Sequence, residues 1–309
     1  MKGEWGAKMS APHHMHAELT NNIFKVNQLN FNGEQYHRLE QVNTATATEP
    51  SEILSNIKAN IKRELPRLHQ LPEFHKPKGH DKKIALIGGG PSLKHYLDDI
   101  RQFRTVFACG SCNDYLMKNG IIPTYAGICD PDPLSINYFQ RLDTETKYLV
   151  ASGCDGKIFD HLKDYQVVMW HCHSDTYKPE DIEPGYQAVG GGCTIGLRAI
   201  SIAIILGYTN HHFFGFDSCM ADNSSDSHAY QAEDVGTLYD IKVGTTEELD
   251  YSSKTFKVAG YQLAQANHFI EFYKNYGKMF VPTIYGDGLL ASVLQNINKE
   301  STKPEQTYE

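Results

Sequence analysis

Lys83–Ile84–Ala85–Leu86–Ile87–Gly88–Gly89–Gly90–Pro91–Ser92–Leu93 is the stretch that decides the fold. Its first five residues form an apolar run of strand length, three glycines follow, and a helix is expected to begin near Leu93. Glycines directly after a strand let the backbone approach a ligand closely. The amides that open the next helix point at an anion with the helix dipole behind them. Gly88, Gly89, Gly90 and the Ser92 hydroxyl therefore read as a cradle for phosphate oxygens. The Gly-Lys-Ser/Thr ending of a Walker loop is absent, and Pro91 and Ser92 stand where the dinucleotide fingerprint runs on toward its third glycine. The competing reading is a tight turn needed only for packing.

Working outward, short apolar segments alternate with helical ones. Strands are expected at Thr105–Cys109, Tyr125–Cys129, Tyr148–Ala151, Val167–Trp170 and His212–Phe216. Helices are expected at Asp114–Lys118, Leu134–Leu142 and Thr194–Leu206, the last led in by Gly190–Gly192 and stopped by Gly207. This alternation is what a parallel sheet requires, because each crossover needs a helix to cover a face. The fold class expected is α/β with a mostly parallel sheet and helices on both faces. Residues 219–255 are polar and aperiodic, as befits an excursion over the strand ends. Phe256–Tyr276 is expected to be one helix, Met279–Pro282 a last strand and Leu289–Ile297 a terminal helix.

The flanks differ. Residues 1–50 form a polar arm in which only Ile23–Leu29 suggests a short helix or strand. His13, His14 and His16 lack acidic or cysteine partners and read as surface histidines rather than a metal tract. Residues 51–80 give a helix from Ser51, with Ile53, Leu54, Ile57, Ile61 and Leu65 at helical spacing, and then a linker marked by Pro72, Pro77 and Gly79. The α/β domain is expected over 81–297, and 298–309 is a polar tail.

The totals exclude several classes. A chain of 309 residues with 40% hydrophobic and 21% charged residues has ordinary globular composition. Its net charge is -8, with 29 Lys plus Arg against 37 Asp plus Glu and no basic run, which argues against a nucleic-acid partner. The longest apolar run, Ile200–Leu206, is far short of the ~20 residues a membrane span needs. Seven scattered cysteines and no signal-peptide pattern lead to a cytoplasmic expectation.

Four further places carry candidate chemistry. Asp130 and Asp132, two apart at a strand end, suit Mg²⁺ bound through phosphates or contact with a sugar hydroxyl, and equally suit a cap for the next helix. Asp217 ends the strand Phe213–Phe216, at the carboxyl edge where parallel sheets bind ligands. His228, in Ser227–His228–Ala229 of the polar excursion, is an acid/base candidate. Cys109 and Cys112 form a Cys-x-x-Cys pair that joins Cys172, His171 and His173 in a zinc site only if distant loops converge; buried thiols are the favoured reading.

Taken in order, several of these pieces resemble the domain shared by archaeal 6-hydroxymethylpterin diphosphokinases and the bacterial motility-accessory proteins implicated in flagellin glycosylation. The resemblance runs from about Asn56 to Gly288. It rests on Asn60–Pro66, Ile87–Leu93, Gly120–Pro123, Gly191–Gly192–Cys193–Thr194 and Ala203–Tyr208. Its most specific parts are Phe214–Gly215–Phe216–Asp217 and Ser227–His228–Ala229. The glycine-proline-serine loop also resembles that of CMP-sialic-acid-dependent sialyltransferases. Cys193 departs from the more familiar serine of the second glycine loop, and the long terminal parts of the motility-accessory proteins are not matched.

The resemblance implies a Rossmann-like nucleotide-binding domain. Gly88–Ser92, Asn113, Gly191, Gly192 and Thr194 would contact nucleotide, with Asp130 and Asp217 in the same crevice. It implies a transferase taking either a nucleotide-activated, CMP-type sugar or ATP. The glycosyltransferase-like branch would use His228 and Asp217 to serve a small-molecule, glycan or protein acceptor. The diphosphokinase-like branch would transfer diphosphate from ATP to a pterin-like alcohol with Mg²⁺ on the carboxylates. A non-enzymatic nucleotide-binding module is the third reading.

Overall fold

The computed structural model describes residues 13–18, 23–29, 33–38, 41–46, 48–75, 82–173, 183–186, 188–221, 226–230, 237–244 and 253–301. Four short strands occupy the N-terminal stretch: β1 (His13–Glu18), β2 (Ile23–Leu29), β3 (Gly33–Arg38) and β4 (Gln41–Thr46). β1 and β4 pair antiparallel, and β2 and β3 join a separate small sheet. Helix α1 (Pro50–Asn60) follows, with Pro50 at its first position, where the missing amide costs nothing.

The glycine-loop strand is β5 (Lys83–Ile87), and Ile84 through Ile87 are all fully buried. Beyond the loop, Pro91–His95 forms a 3-10 helix before the single turn α2 (Leu97–Ile100), so the regular helix expected from Leu93 is broken at Tyr96. The chain then steps through β6 (Val106–Cys109), α3 (Cys112–Lys118), β7 (Tyr125–Ile128), β8 (Lys147–Ala151), α4 (Gly156–His161) and β9 (Gln166–Trp170). The stretch expected as a helix over 134–142 is a 3-10 helix, Pro133–Phe139, whose Leu134 amide donates to Asp132 Oδ1 at 2.8 Å.

Helix α5 (Ile195–Ile205) opens with the Leu197 amide donating to Thr194 Oγ1 at 3.3 Å, and Gly207 ends it at a φ of 85°. It buries Leu197, Ile200 and Ile202 completely. Each such side chain contributes about 1.5–3 kcal/mol of transfer free energy. The chain continues through β10 (Asn210–Phe214), β11 (Leu238–Val243), β12 (Phe256–Ala259), α6 (Gly260–Tyr276), β13 (Val281–Ile284) and α7 (Leu289–Ser301).

The helix expected over 256–276 therefore splits. Phe256 and Val258 are buried while Lys257 is exposed, a period of two, and β12 pairs with β11 before α6 begins. The small sheet has the order β12-β11-β2-β3.

The main sheet has seven strands in the order β13-β10-β5-β6-β7-β8-β9, and every pairing is parallel. Helices flank both faces, and the architecture is Rossmann-like α/β. From β5 the chain advances strand by strand to β9. It then crosses back to lay β10 on the other side of β5. The order reverses between these two strands, which opens a crevice at their carboxyl ends. Among the described residues no helix is long and apolar enough to cross a membrane.

Candidate functional site

A cavity of about 530 Å³ lies over the carboxyl ends of β5, β6, β7 and β10. Of the residues singled out by sequence, Gly88, Gly89, Gly90 and Thr194 line it, together with Asp130, Asp132 and His228. Ser92, Asn113, Gly191, Gly192 and Asp217 stand outside that lining.

The glycine loop is held by its own neighbours. The Gly88 amide donates to Phe214 O at 2.8 Å and the Gly90 amide to Gly215 O at 2.8 Å. The Ser92 amide donates to Asp217 Oδ2 at 2.9 Å. Pro91 has no amide and Leu93 donates to Gly90 O at 3.1 Å. Among the described residues, these bonds leave Gly89 as the loop residue whose amide has no hydrogen-bond acceptor in the fold. A Cβ on Gly90 would lie 2.3 Å from Asp217 Oδ2, so the carboxylate packs directly beneath the loop.

Asp217 is thus the clamp of the loop rather than part of the main cavity wall. Together with Ser92 it faces a smaller cavity of about 260 Å³ behind the loop, alongside Lys254 and Asp287. Burial pushes the Asp217 carboxyl above the usual range, and the Ser92 amide draws it back. Ser218, next in sequence, has a left-handed φ of 51° and lines the main cavity, with its hydroxyl buried and without a hydrogen-bond partner among the described residues.

Asn113 and the second glycine loop have local duties. Asn113 is fully buried and its Nδ2 donates to Arg141 O at 3.0 Å, tying α3 to the following turn. Gly191 and Gly192 have φ values of 124° and 104°. A Cβ on Gly191 would lie 2.7 Å from Leu197 O, and one on Gly192 would lie 2.9 Å from His268 Cβ. These glycines let the loop pack closely on α5 and α6 and so deliver Cys193 and Thr194 to the cavity.

Asp130 accepts from the Asp132 amide at 3.0 Å, while Asp132 caps the 3-10 helix. Both therefore act structurally and still present carboxyl groups to the cavity. Burial raises the Asp130 pKa.

His228 sits over the loop. A Cβ on Gly89 would lie 2.5 Å from His228 Cδ2 and 3.2 Å from its Nε2. The Ala229 amide donates to Gly89 O at 2.9 Å, and Ser227 Oγ lies 2.9 Å from His228 Nδ1. Ser227 therefore orients the ring through one nitrogen, with the other beside the glycine loop.

The Cys-x-x-Cys pair is internal. Cys112 Sγ donates to Ile87 O at 3.0 Å, and burial pushes its thiol up to about 12. His171 is fully buried between Ser152 Oγ, 2.6 Å from Nδ1, and Glu183 Oε2, 3.0 Å from Nε2. Arg67 pairs with the same Glu183 at 3.0 Å. Among the described residues no three His, Cys, Asp or Glu side chains are arranged to hold a metal ion.

Sequence reasoning missed Ser111, Tyr230, Gln262 and Gln265. Ser111, Gln262 and Gln265 line the cavity, and Tyr230 reaches Ser111 across the loop. Their only signal was position: Ser111 after a strand end, Tyr230 two residues past His228, and the glutamines one helical turn apart.

A parallel sheet with a glycine-lined crevice at its switch point defines a Rossmann-like α/β protein. Within that class, residues 51–223 match the family model described as 6-hydroxymethylpterin diphosphokinase MptE-like, and the chain belongs to that family. No curated protein matches it in sequence.

Among solved structures it is similar to the MAf glycosyltransferase from Magnetospirillum magneticum AMB-1, with a TM-score of 0.53 and 16% identity over 69% of this chain. The chain spans 33% of that protein, and the likeness is one of fold. The sialyltransferase CstII from Campylobacter jejuni, in complex with a substrate analogue, cytidine-5′-monophosphate, also matches. Its TM-score is 0.36 at 18% identity, over 70% of this chain and 84% of that one.

Proposed function

We propose that the protein is a glycosyltransferase whose donor is a sugar activated through a single nucleotide phosphate, of the CMP type. The observation that carries this reading is the charge of the cavity. Among the described residues lining it are the carboxylates Asp130 and Asp132 and no lysine or arginine. A triphosphate bound there would need added cations, whereas one phosphodiester is served by a glycine-loop amide and neighbouring hydroxyls.

In the transfer, the bond between the anomeric carbon and the phosphate oxygen breaks and its electron pair leaves with the nucleotide. The acceptor hydroxyl oxygen forms the new bond. His228, oriented by Ser227, accepts that hydroxyl's proton or delivers one to the leaving phosphate. Asp217 contributes by holding the loop, and the loop stabilises the departing charge.

A second reading, an ATP-dependent diphosphokinase acting on a pterin-like alcohol, is favoured by the family description. In it, Asp130 and Asp132 would hold Mg²⁺ beside the phosphates. Thermal stabilisation by CMP, UDP, GDP and ATP, each with and without Mg²⁺, separates the two. Stabilisation by CMP without metal is expected. Stabilisation by ATP with Mg²⁺ alone would overturn the sugar-donor reading.

A further inference from the structure

Tyr230 spans the mouth of the glycine loop. Its hydroxyl lies 2.6 Å from Ser111 Oγ, 119 residues away at the start of α3. Its ring stacks on Tyr115 of the same helix, with centroids 5.1 Å apart and planes at 29°. A Cβ on Gly89 would meet the Tyr230 hydroxyl at 2.5 Å, the same distance at which it would meet His228. Between these two residues the Ala229 amide is bonded to Gly89 O. Two consecutive residues are therefore fastened to two different strand ends, Ala229 to that of β5 through Gly89 and Tyr230 to that of β6 through Ser111.

We propose that Tyr230 is a positioning residue: its contacts with Ser111 and Tyr115 clasp the Ser227–Tyr230 segment across the glycine loop and so fix the His228 imidazole over Gly89. The physical argument is one of entropy. A polar stretch with a single backbone bond to the loop would let a histidine swing through many orientations. A second anchor two residues on removes most of that freedom before any ligand arrives. Ser111 also ties the clasp to the cavity wall, so ligand contact at Ser111 and histidine placement are coupled. The mechanical half of this inference stands alone; its catalytic consequence rests on the proposed role of His228.

The test is hydrogen exchange of the Ala229 amide in the full chain, with Tyr230→Phe, Ser111→Ala, Ser111→Thr and the Tyr230→Phe/Ser111→Ala double variant. Tyr230→Phe keeps the ring on Tyr115, so the fold is retained. Exchange is expected to quicken by about tenfold in Tyr230→Phe and in Ser111→Ala, to rise no further in the double variant, and to stay near the parent rate in Ser111→Thr. Parent-like exchange in Tyr230→Phe and Ser111→Ala would overturn the clasp.

Kinetics with a CMP-sugar donor supply the second readout: Tyr230→Phe should lower kcat while KM holds, because ligand contacts remain and histidine placement is lost. Unchanged kcat alongside faster exchange would overturn the catalytic half. Failure of the unaltered protein to bind CMP would instead count against the proposed donor, and the exchange data would still decide the clasp.

Discussion

Gly89 and Gly90 are neighbours with different duties. Gly90 is flanked by backbone and by Asp217: an added Cβ would lie 2.3 Å from Asp217 Oδ2 and 2.6 Å from Gly215 O. Gly215 O belongs to the main sheet's own connection and cannot retreat cheaply. Gly90→Ala should therefore destabilise the fold by roughly 1–3 kcal/mol, read from urea unfolding. At Gly89 the three atoms nearest an added Cβ belong to His228 and Tyr230, two side chains of the covering segment. Gly89→Val is expected to stay folded and lose CMP affinity in calorimetry; parent-like affinity would remove this loop from the site. Asp217 shows why a residue's place in sequence is a weak guide to its role. Its position at a strand end suggested catalysis, yet its carboxylate faces the rear of the loop and accepts the Ser92 amide at 2.9 Å.

At the scale of elements, both edges of the main sheet are managed. The outer side of β9 carries an isolated bridge from Arg67 to Met169, and just past the strand Cys172 bridges to Val189. At the other edge, the amides of Val281 and Tyr285 donate to Thr209 O and Phe213 O of the β10 segment. Strand alternation then turns position 282 outward, where Pro282 offers no donor. Val281 is 62% exposed on this strand, so the proline guards an apolar edge. Pro282→Val should restore the donor and promote self-association, seen as a concentration-dependent rise in sedimentation coefficient. A monomeric variant at every concentration would rule this out. The central strands β5 to β8 were legible as elements because they are buried on both faces and read as unbroken apolar runs. β12 was hidden, since four residues of period two are swamped by the helical pattern that follows at once.

Across the whole molecule, burial of titratable groups sets the response to pH. His211 on β10 is fully buried, its Nε2 donates to Tyr208 O at 3.1 Å, and burial lowers its pKa to about 4. An unfolded histidine takes up its proton near its ordinary pKa, so as pH falls from that value toward about 4 the unfolded state binds protons the native state refuses. The native state gains stability from this group as pH rises through that window and loses it on acidification. Between pH 7 and pH 5 the parent should lose about 2 kcal/mol more than His211→Gln. Equal losses in paired denaturant titrations would show that His211 does not titrate in this way. His212 and His268 are shifted in the same direction, also by burial.

The sequence by itself determined the parallel α/β sheet and the glycine turn after its first strand. Apolar runs, glycines and helix periods are local properties, and local sterics and burial act on them wherever the chain goes. Only the tertiary structure decided that β10 returns beside β5, that Asp217 clamps the loop from behind, and that Tyr230 reaches Ser111 over the cavity. Each of those depends on contacts between residues more than a hundred positions apart, and no local pattern encodes which distant partner a polar side chain will meet.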